Sequence, residues 1–116
     1  MANTFKIKTN DAMPTSAGTP LTFYTVPSNT TTVVLGLMLC NVDSSQRTVD
    51  VQIVSDTSDT ETNATVFAVK DAPVPAGSTL EVMAGNKVVL QTTDVLKIDC
   101  DAAAKIDATL SIMEIT

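Results

Sequence analysis

Turn signals break this chain so often that strands are what fit between them. DAMPTSAGTP, VPSN, NVDSS, SDTSDTETN, DAPVPAG, AGN, QTTD and DCDAAAKID follow one another at short intervals, and the runs between them are of strand length. This rhythm predicts an all-β antiparallel β-sandwich, Ig-like or jelly-roll-like, rather than βαβ units. The strands are expected near 4–8, 21–26, 31–42, 47–54, 63–70, 79–83, 87–91, 95–100 and 107–115, about eight or nine in all. DAAAKIDA is the one stretch with helix propensity, and it is too short to hold a helix in water, so at most one helical turn is expected near 101–106. Threonine and valine lead the composition, and β-branched side chains favour a pleated, half-buried surface.

A chain of 116 residues is long enough to bury a core without staples, so residues 1–116 are expected to form one sandwich domain. Within it, residues 1–20 can run as an extended N-terminal arm. Hydrophobic residues make up 44% and aromatics only 3%, which excludes disorder and leaves the core to Val, Leu, Ile, Ala and Met.

Alternation marks the strands with one wet face. In RTVDVQIV, Val49, Val51 and Ile53 oppose Thr48, Asp50 and Gln52, and in DVLKIDC, Leu96, Ile98 and Cys100 oppose Val95, Lys97 and Asp99. TTVVLGLMLCNV breaks the rule. Val33, Leu35, Leu37 and Leu39 form one face of a straight strand, while Val34, Gly36, Met38, Cys40 and Val42 form the other, so both are apolar. DATLSIMEIT behaves similarly, with Leu110 and Ile112 on one side and Met113 and Ile115 on the other. Three coverings are open for the second face: a bulge at Gly36 that turns later residues inward, the N-terminal segment folded over it, or a neighbouring copy of the chain.

Charge and chemistry narrow the function by exclusion. The net charge is −6, with pI near 4.2 and no Arg or Lys cluster, so no nucleic-acid partner is expected. MANTFKIKTN opens without an apolar h-region and no later run approaches a membrane span, which predicts neither export nor membrane insertion and a protein that folds in a cytosol. There the sequons at Asn29 and Asn63 carry no glycan. Histidine is absent, which removes the usual general base, the Ser-His and Cys-His pairs and His-bearing zinc sites. No phosphate-cradling Gly-rich loop is present. Cys40 and Cys100 lack CxxC spacing and read first as buried thiols in a reducing compartment, with a disulfide between them open only if their Cα atoms approach within ~7 Å.

Carboxylates crowd two loops, Asp56, Asp59 and Glu61 in one and Asp99, Asp101 and Asp107 in the other. Neither has the Gly-centred spacing of a calcium cage, and solvated loop charges account for them. A glycosidase pair lacks an aromatic-lined cleft, and a carbohydrate-binding module lacks stacking aromatics, with no Trp and one Tyr. No catalytic residue, cofactor or metal site is therefore assigned. DAPVPAGSTLEV places Pro73 and Pro75 around Val74 before Gly77, a stiff corner that cannot extend a sheet edge.

FYTVPSNTTTVVLGLMLCNVDSSQRTVDVQI, then KDAPVPAGSTLEV, KVVLQTTDVLKI and a closing DATLSIMEIT, in this order, resemble the small virion structural proteins of tailed bacteriophages, above all those of cyanobacteria and other marine bacteria. The resemblance spans roughly residues 22–115 and rests on phrase order rather than on one diagnostic motif. It implies a non-enzymatic β-sandwich made in the host bacterial cytoplasm and carried in the virion. Within that class the expectation is a capsid decoration or cement protein binding major capsid subunits; the alternative is a tail, neck or fibre-associated module. A homo-oligomer is expected, a trimer foremost. The assembly residues expected are Val34, Met38 and Val42 on the second face of the long strand, Met113 and Ile115 near the C terminus, and the corner Pro73, Val74 and Pro75.

Overall fold

Where polar and apolar residues alternate, the chain folds as alternation dictates. Val49, Val51, Leu96 and Ile98 are wholly buried and Cys100 nearly so, while Asp50, Gln52 and Lys97 turn to the other side. The structure, a computed structural model, describes residues 2–55, 62–83 and 87–116. Among them lie nine strands: β1 (Asn3–Met13), β2 (Leu21–Thr25), β3 (Thr31–Asn41), β4 (Arg47–Val54), β5 (Val66–Val74), β6 (Thr79–Glu81), β7 (Val88–Leu90), β8 (Val95–Cys100) and β9 (Ile106–Ile115). No helix occurs among the described residues; the stretch expected to hold at most one helical turn is a tight turn with Ala104 at φ 56°.

The strands form two antiparallel sheets, β1-β9-β3-β6 with β7 also on β3, and β2-β8-β4-β5. Their pairing is nested: β1 with β9, β2 with β8, β3 with β6 and β7, and β4 with β5. One long hairpin with β4–β5 at its tip has rolled up so that β3–β9 and β4–β8 also pair. Of the two sandwich types expected, this order is that of a jelly roll. Between the sheets a single apolar cluster gathers Leu37, Leu39, Leu90, Leu96, Ile98, Ile106, Leu110 and Ile112.

The long apolar strand resolves its two faces with a bulge. In the pairing of β3 with β9, Val34 faces Ile112 and Gly36 faces Ser111, so Leu35 is an extra residue. Before it Thr32 and Val34 point inward, and after it Leu37, Leu39 and Asn41 do, all at most 1% exposed. Gly36 has an ordinary φ, and a Cβ built on it meets nothing within 4 Å, so the bulge does not depend on glycine. On the other edge of β3 the partner is split: β7 pairs with Thr32–Val34 and β6 with Met38–Cys40, one on each side of the bulge.

Two sequence expectations change here. The first strand runs to Met13 and pairs with β9 from Asn3 to Asn10, so most of the expected arm is an edge strand of the first sheet. The fifth strand lies at Val66–Val74 rather than 63–70, and Pro73 sits within it opposite Thr48. Edge position explains the tolerance, because β5 pairs with β4 alone and a missing donor on its outer side costs the sheet nothing. β5 also shifts register, with Asp71 at φ 50°. Asp71 N–H there donates to Asp50 Oδ1 at 2.6 Å.

Asn41, wholly buried at the end of β3, ties the corner together. Its Nδ2 donates to the carbonyls of Ser45 and Val74, each at 2.9 Å, and its Oδ1 accepts from Asp43 N–H at 2.9 Å. Its backbone accepts from Gly77 N–H at 3.0 Å and donates to Ser78 O at 2.9 Å. Gly77 occupies the left-handed region at φ 72°, which a side chain would strain. Beside this corner Arg47 Nε donates to Asp43 Oδ2 at 2.7 Å, and Asp43 is held below the usual carboxylate range by that bond first.

Candidate assembly surface

The outer faces of the two sheets differ in kind. On the second sheet, Thr48, Asp50, Gln52, Lys97 and Asp99 alternate with core residues, and Lys70 on β5 pairs with Asp50 at 3.7 Å while its ammonium lies 4.7 Å from the Phe67 ring. Burial pushes the Asp99 carboxyl up, and the charge of Asp50 directly opposite adds to this. That face is polar and paired with itself.

On the first sheet, residues directly opposite one another share a side, and the pairings place Phe5, Met113, Val33 and Val89 in one row across β1, β9, β3 and β7. Phe5 is 72% exposed and Val89 61%, with Met113 and Val33 half-buried between them. One step along, Ile7, 69% exposed, faces Ser111, and the bulged Leu35 projects beside them at 37%. One step the other way, Ile115 stands between Asn3 and Thr31. Met38, 42% exposed, follows beyond the bulge, with Thr109 and Glu81 at its sides. Fully burying one such side chain contributes roughly 1.5 to 3 kcal/mol.

Of the assembly residues expected from sequence, the structure gathers Met38, Met113 and Ile115 in this patch. Val34 is corrected: it is 0% exposed and packs between the sheets, because the bulge at Leu35 inverts the phase of everything before it relative to Met38. Val74 is corrected too: it is 1% exposed at the end of β5, beneath the bond from Asn41. Val42 is exposed just past β3, where its N–H donates to Lys105 O at 3.0 Å. Pro73 and Pro75 are exposed at the other sheet's edge, away from the patch.

Sequence reasoning missed Phe5, Ile7, Leu35 and Val89. A signal was present in TFKIKT, whose alternation sets Phe5 and Ile7 against Lys6 and Lys8, but only the register on β9 says which side joins Met113. Of the three coverings considered, the bulge is realised and disposes of Val34. The N-terminal segment lies beside β9 and enlarges the apolar face instead of covering it.

The inner side of β1 meets a buried polar cluster. Lys6 Nζ lies 2.7 Å from Glu114 Oε1, Tyr24 Oη donates to Glu114 Oε2 at 2.6 Å, and Tyr24 Oη lies 2.8 Å from Thr32 Oγ1. These contacts join β1, β9, β2 and β3 across the open edge of the sandwich, along a cleft of about 540 Å³ lined by Lys6, Lys8, Thr22, Tyr24 and Glu114. Burial, then the bond to Glu114, pushes the Tyr24 phenol up to about 12. Glu114 is held below the usual range, first by Lys6 and then by Tyr24. At neutral pH the cluster is thus an ionised carboxylate with its donors in place, a clamp between sheets.

Both cysteines are free, Cys40 on the outer side of β3 and Cys100 buried on β8, where burial raises its thiol. Asp56, Asp59 and Glu61 lie outside the described residues. Asp99, Asp101 and Asp107 do not converge, and among the described residues no group of three His, Cys, Asp or Glu side chains is placed to hold a metal ion. Comparison with protein-family models, curated protein sequences and solved structures finds no match to this chain.

Proposed function

We propose that this chain is a non-enzymatic structural component of a tailed-phage virion, a head decoration protein that stabilises the capsid by binding major capsid subunits. The observation that carries the assembly role is the uncharged apolar face of Phe5, Ile7, Val33, Leu35, Val89 and Met113 on a jelly roll whose other face is polar. The order of phrases over residues 22–115 supports the virion class. In this reading the sandwich is a rigid body and works by repetition. Many modest contacts across a lattice resist internal pressure together, each needing only a stable, unreactive surface. The stiff, exposed corner at Pro73 and Pro75 is a second contact point, held in shape by Asn41.

The test is the copy number of the chain in purified particles of the source phage, measured by quantitative mass spectrometry against the major capsid protein. Hundreds of copies per particle are expected. A few to a few tens would overturn decoration in favour of a tail, neck or fibre location, and absence would overturn the virion reading.

A further inference from the structure

The apolar face needs an occupant, and the arrangement of charge and shape around it points to one. We infer that the outer face of the first sheet is closed by the same face of a second copy, related by a two-fold axis running along the row Phe5, Met113, Val33 and Val89. This deepens the assembly reading of that face and does not depend on a virion being its setting.

Area comes first. The exposed parts of Phe5, Ile7, Leu35, Met38 and Val89 leave on the order of 400–500 Å² of apolar surface in water, the size at which a patch on a monomer marks an interaction site. Val33, Met113, Ile115 and the polar surround bring the face toward the roughly 800 Å² that one partner gives to a standard interface. A sheet face of this kind is matched in shape by another sheet face, since two sheets pack about 10 Å apart with strands within about 30°. The chain already makes such a contact inside itself.

Edge-to-edge association is guarded against. In an antiparallel β1–β1 pairing that sets Ile7 against Ile7, Lys6 meets Lys8 of the other copy, and one that sets Ile7 against Phe5 sets Lys6 against Lys6; lysines on an edge strand are a recognised barrier to pairing. The face, by contrast, has no charge at its centre, because Lys6 and Glu114 of the same strands turn inward toward Tyr24.

Charge then selects the axis. Asp107, opposite Cys40, and Glu81, opposite Met38, put negative charge at one end of the face. A two-fold axis parallel to the strands would bring the acidic ends of the two copies together, in a protein that already carries −6. An axis along the Phe5–Val89 row sends the two acidic ends in opposite directions. A two-fold contact uses one self-complementary patch, whereas a ring of three needs two different complementary ones. Among the described residues the other large exposed side chains are Val42, alone just past the end of β3, and Val66 and Phe67 on β5 of the second sheet, with Phe67 under Lys70. The dimer is therefore favoured over the trimer expected from sequence.

The experiment is the mass of the full chain by sedimentation equilibrium across a hundredfold range of concentration. The expected result is twice the 12.2 kDa of one chain at the upper end. Phe5→Asp with Val89→Asp, both on exposed side chains, should give a monomer with an unchanged circular dichroism spectrum. As an arm that leaves Phe5 in place, Val89→Cys in a Cys40→Ser background should be linked to its own copy by a short bis-maleimide, and Thr79→Cys in the same background should not. A monomer throughout, a trimer, a dimer that survives the double substitution, or linkage at Thr79→Cys instead of Val89→Cys would overturn the inference. A monomer that is nonetheless abundant on particles would overturn the dimer alone and leave the virion reading standing.

Discussion

The bulge in β3 puts Val34 in the core and Met38 on the surface, although they are four residues apart and would share a face in a straight strand. Val34→Ala removes two methyl groups from a site with 0% exposure. The transfer loss is about 0.8 kcal/mol per methyl, and the residual cavity adds about 1 kcal/mol at ~24 cal/mol per Å³, for a total of about 2–3 kcal/mol. Met38→Ala trims a side chain that is 42% exposed and should cost less than about 1 kcal/mol. Urea unfolding followed by far-ultraviolet circular dichroism measures both, at one low protein concentration so that association does not add to either value. With a slope of roughly 1–3 kcal/mol per M, Val34→Ala should lower the midpoint by about 1–2 M at an unchanged slope, and Met38→Ala by a small fraction of that. Equal effects, or a larger one at Met38, would refute the phase inversion and with it the composition of the outer face.

Two further outcomes follow from the buried polar groups. Asn41→Ala strips partners from the carbonyls of Ser45 and Val74 and from Asp43 N–H, and should cost about 2–4 kcal/mol, seen as a drop of roughly 10 °C in the thermal midpoint. For Glu114, the folded protein lowers the carboxyl below its ordinary 4.5, so its contribution is fully present above pH 4.5 and is lost as pH falls through the folded-state value. Glu114→Gln should therefore be less stable than the parent by about 1–2 kcal/mol at pH 7, and the gap should narrow progressively as pH is lowered below 4.5 in paired urea titrations.

The regular strands were legible because they obey one rule each. β4 and β8 alternate without interruption, so their buried residues, Val49, Val51, Leu96, Ile98 and Cys100, follow from counting by two. β3 and β9 were legible as doubly apolar segments, and their bounds in the structure differ from expectation by at most one residue at each end. β5 was displaced because Pro73 reads as a stop, and only its place at a sheet edge makes it harmless. β1 was shortened because NDAM carries no apolar alternation; it is a strand on account of β9, its partner some hundred residues away.

The candidate surface was half legible for a related reason. Met113 and Ile115 fall on the outer face, as counting by two along the regular β9 expects, and Met38 does because it follows the bulge. Val34 does not, since a single extra residue reverses every assignment on one side of it. Val74 looked like the tip of a projecting corner between two prolines, yet the roll of the sheets turns it inward under Asn41. Phe5, Ile7 and Val89 entered through cross-strand register, which no local pattern encodes.

What the sequence determined by itself is the class of object: closely spaced turns and β-branched runs leave a chain little choice but short antiparallel strands. Tertiary structure decided which faces those are. The nested pairing laid β1 beside β9 and set Phe5 in line with Met113, Val33 and Val89, and one bulge sent Val34 inward. Side-chain direction alternates with period two, so identity along a strand is local information, while the choice between inside and outside belongs to the partner strands.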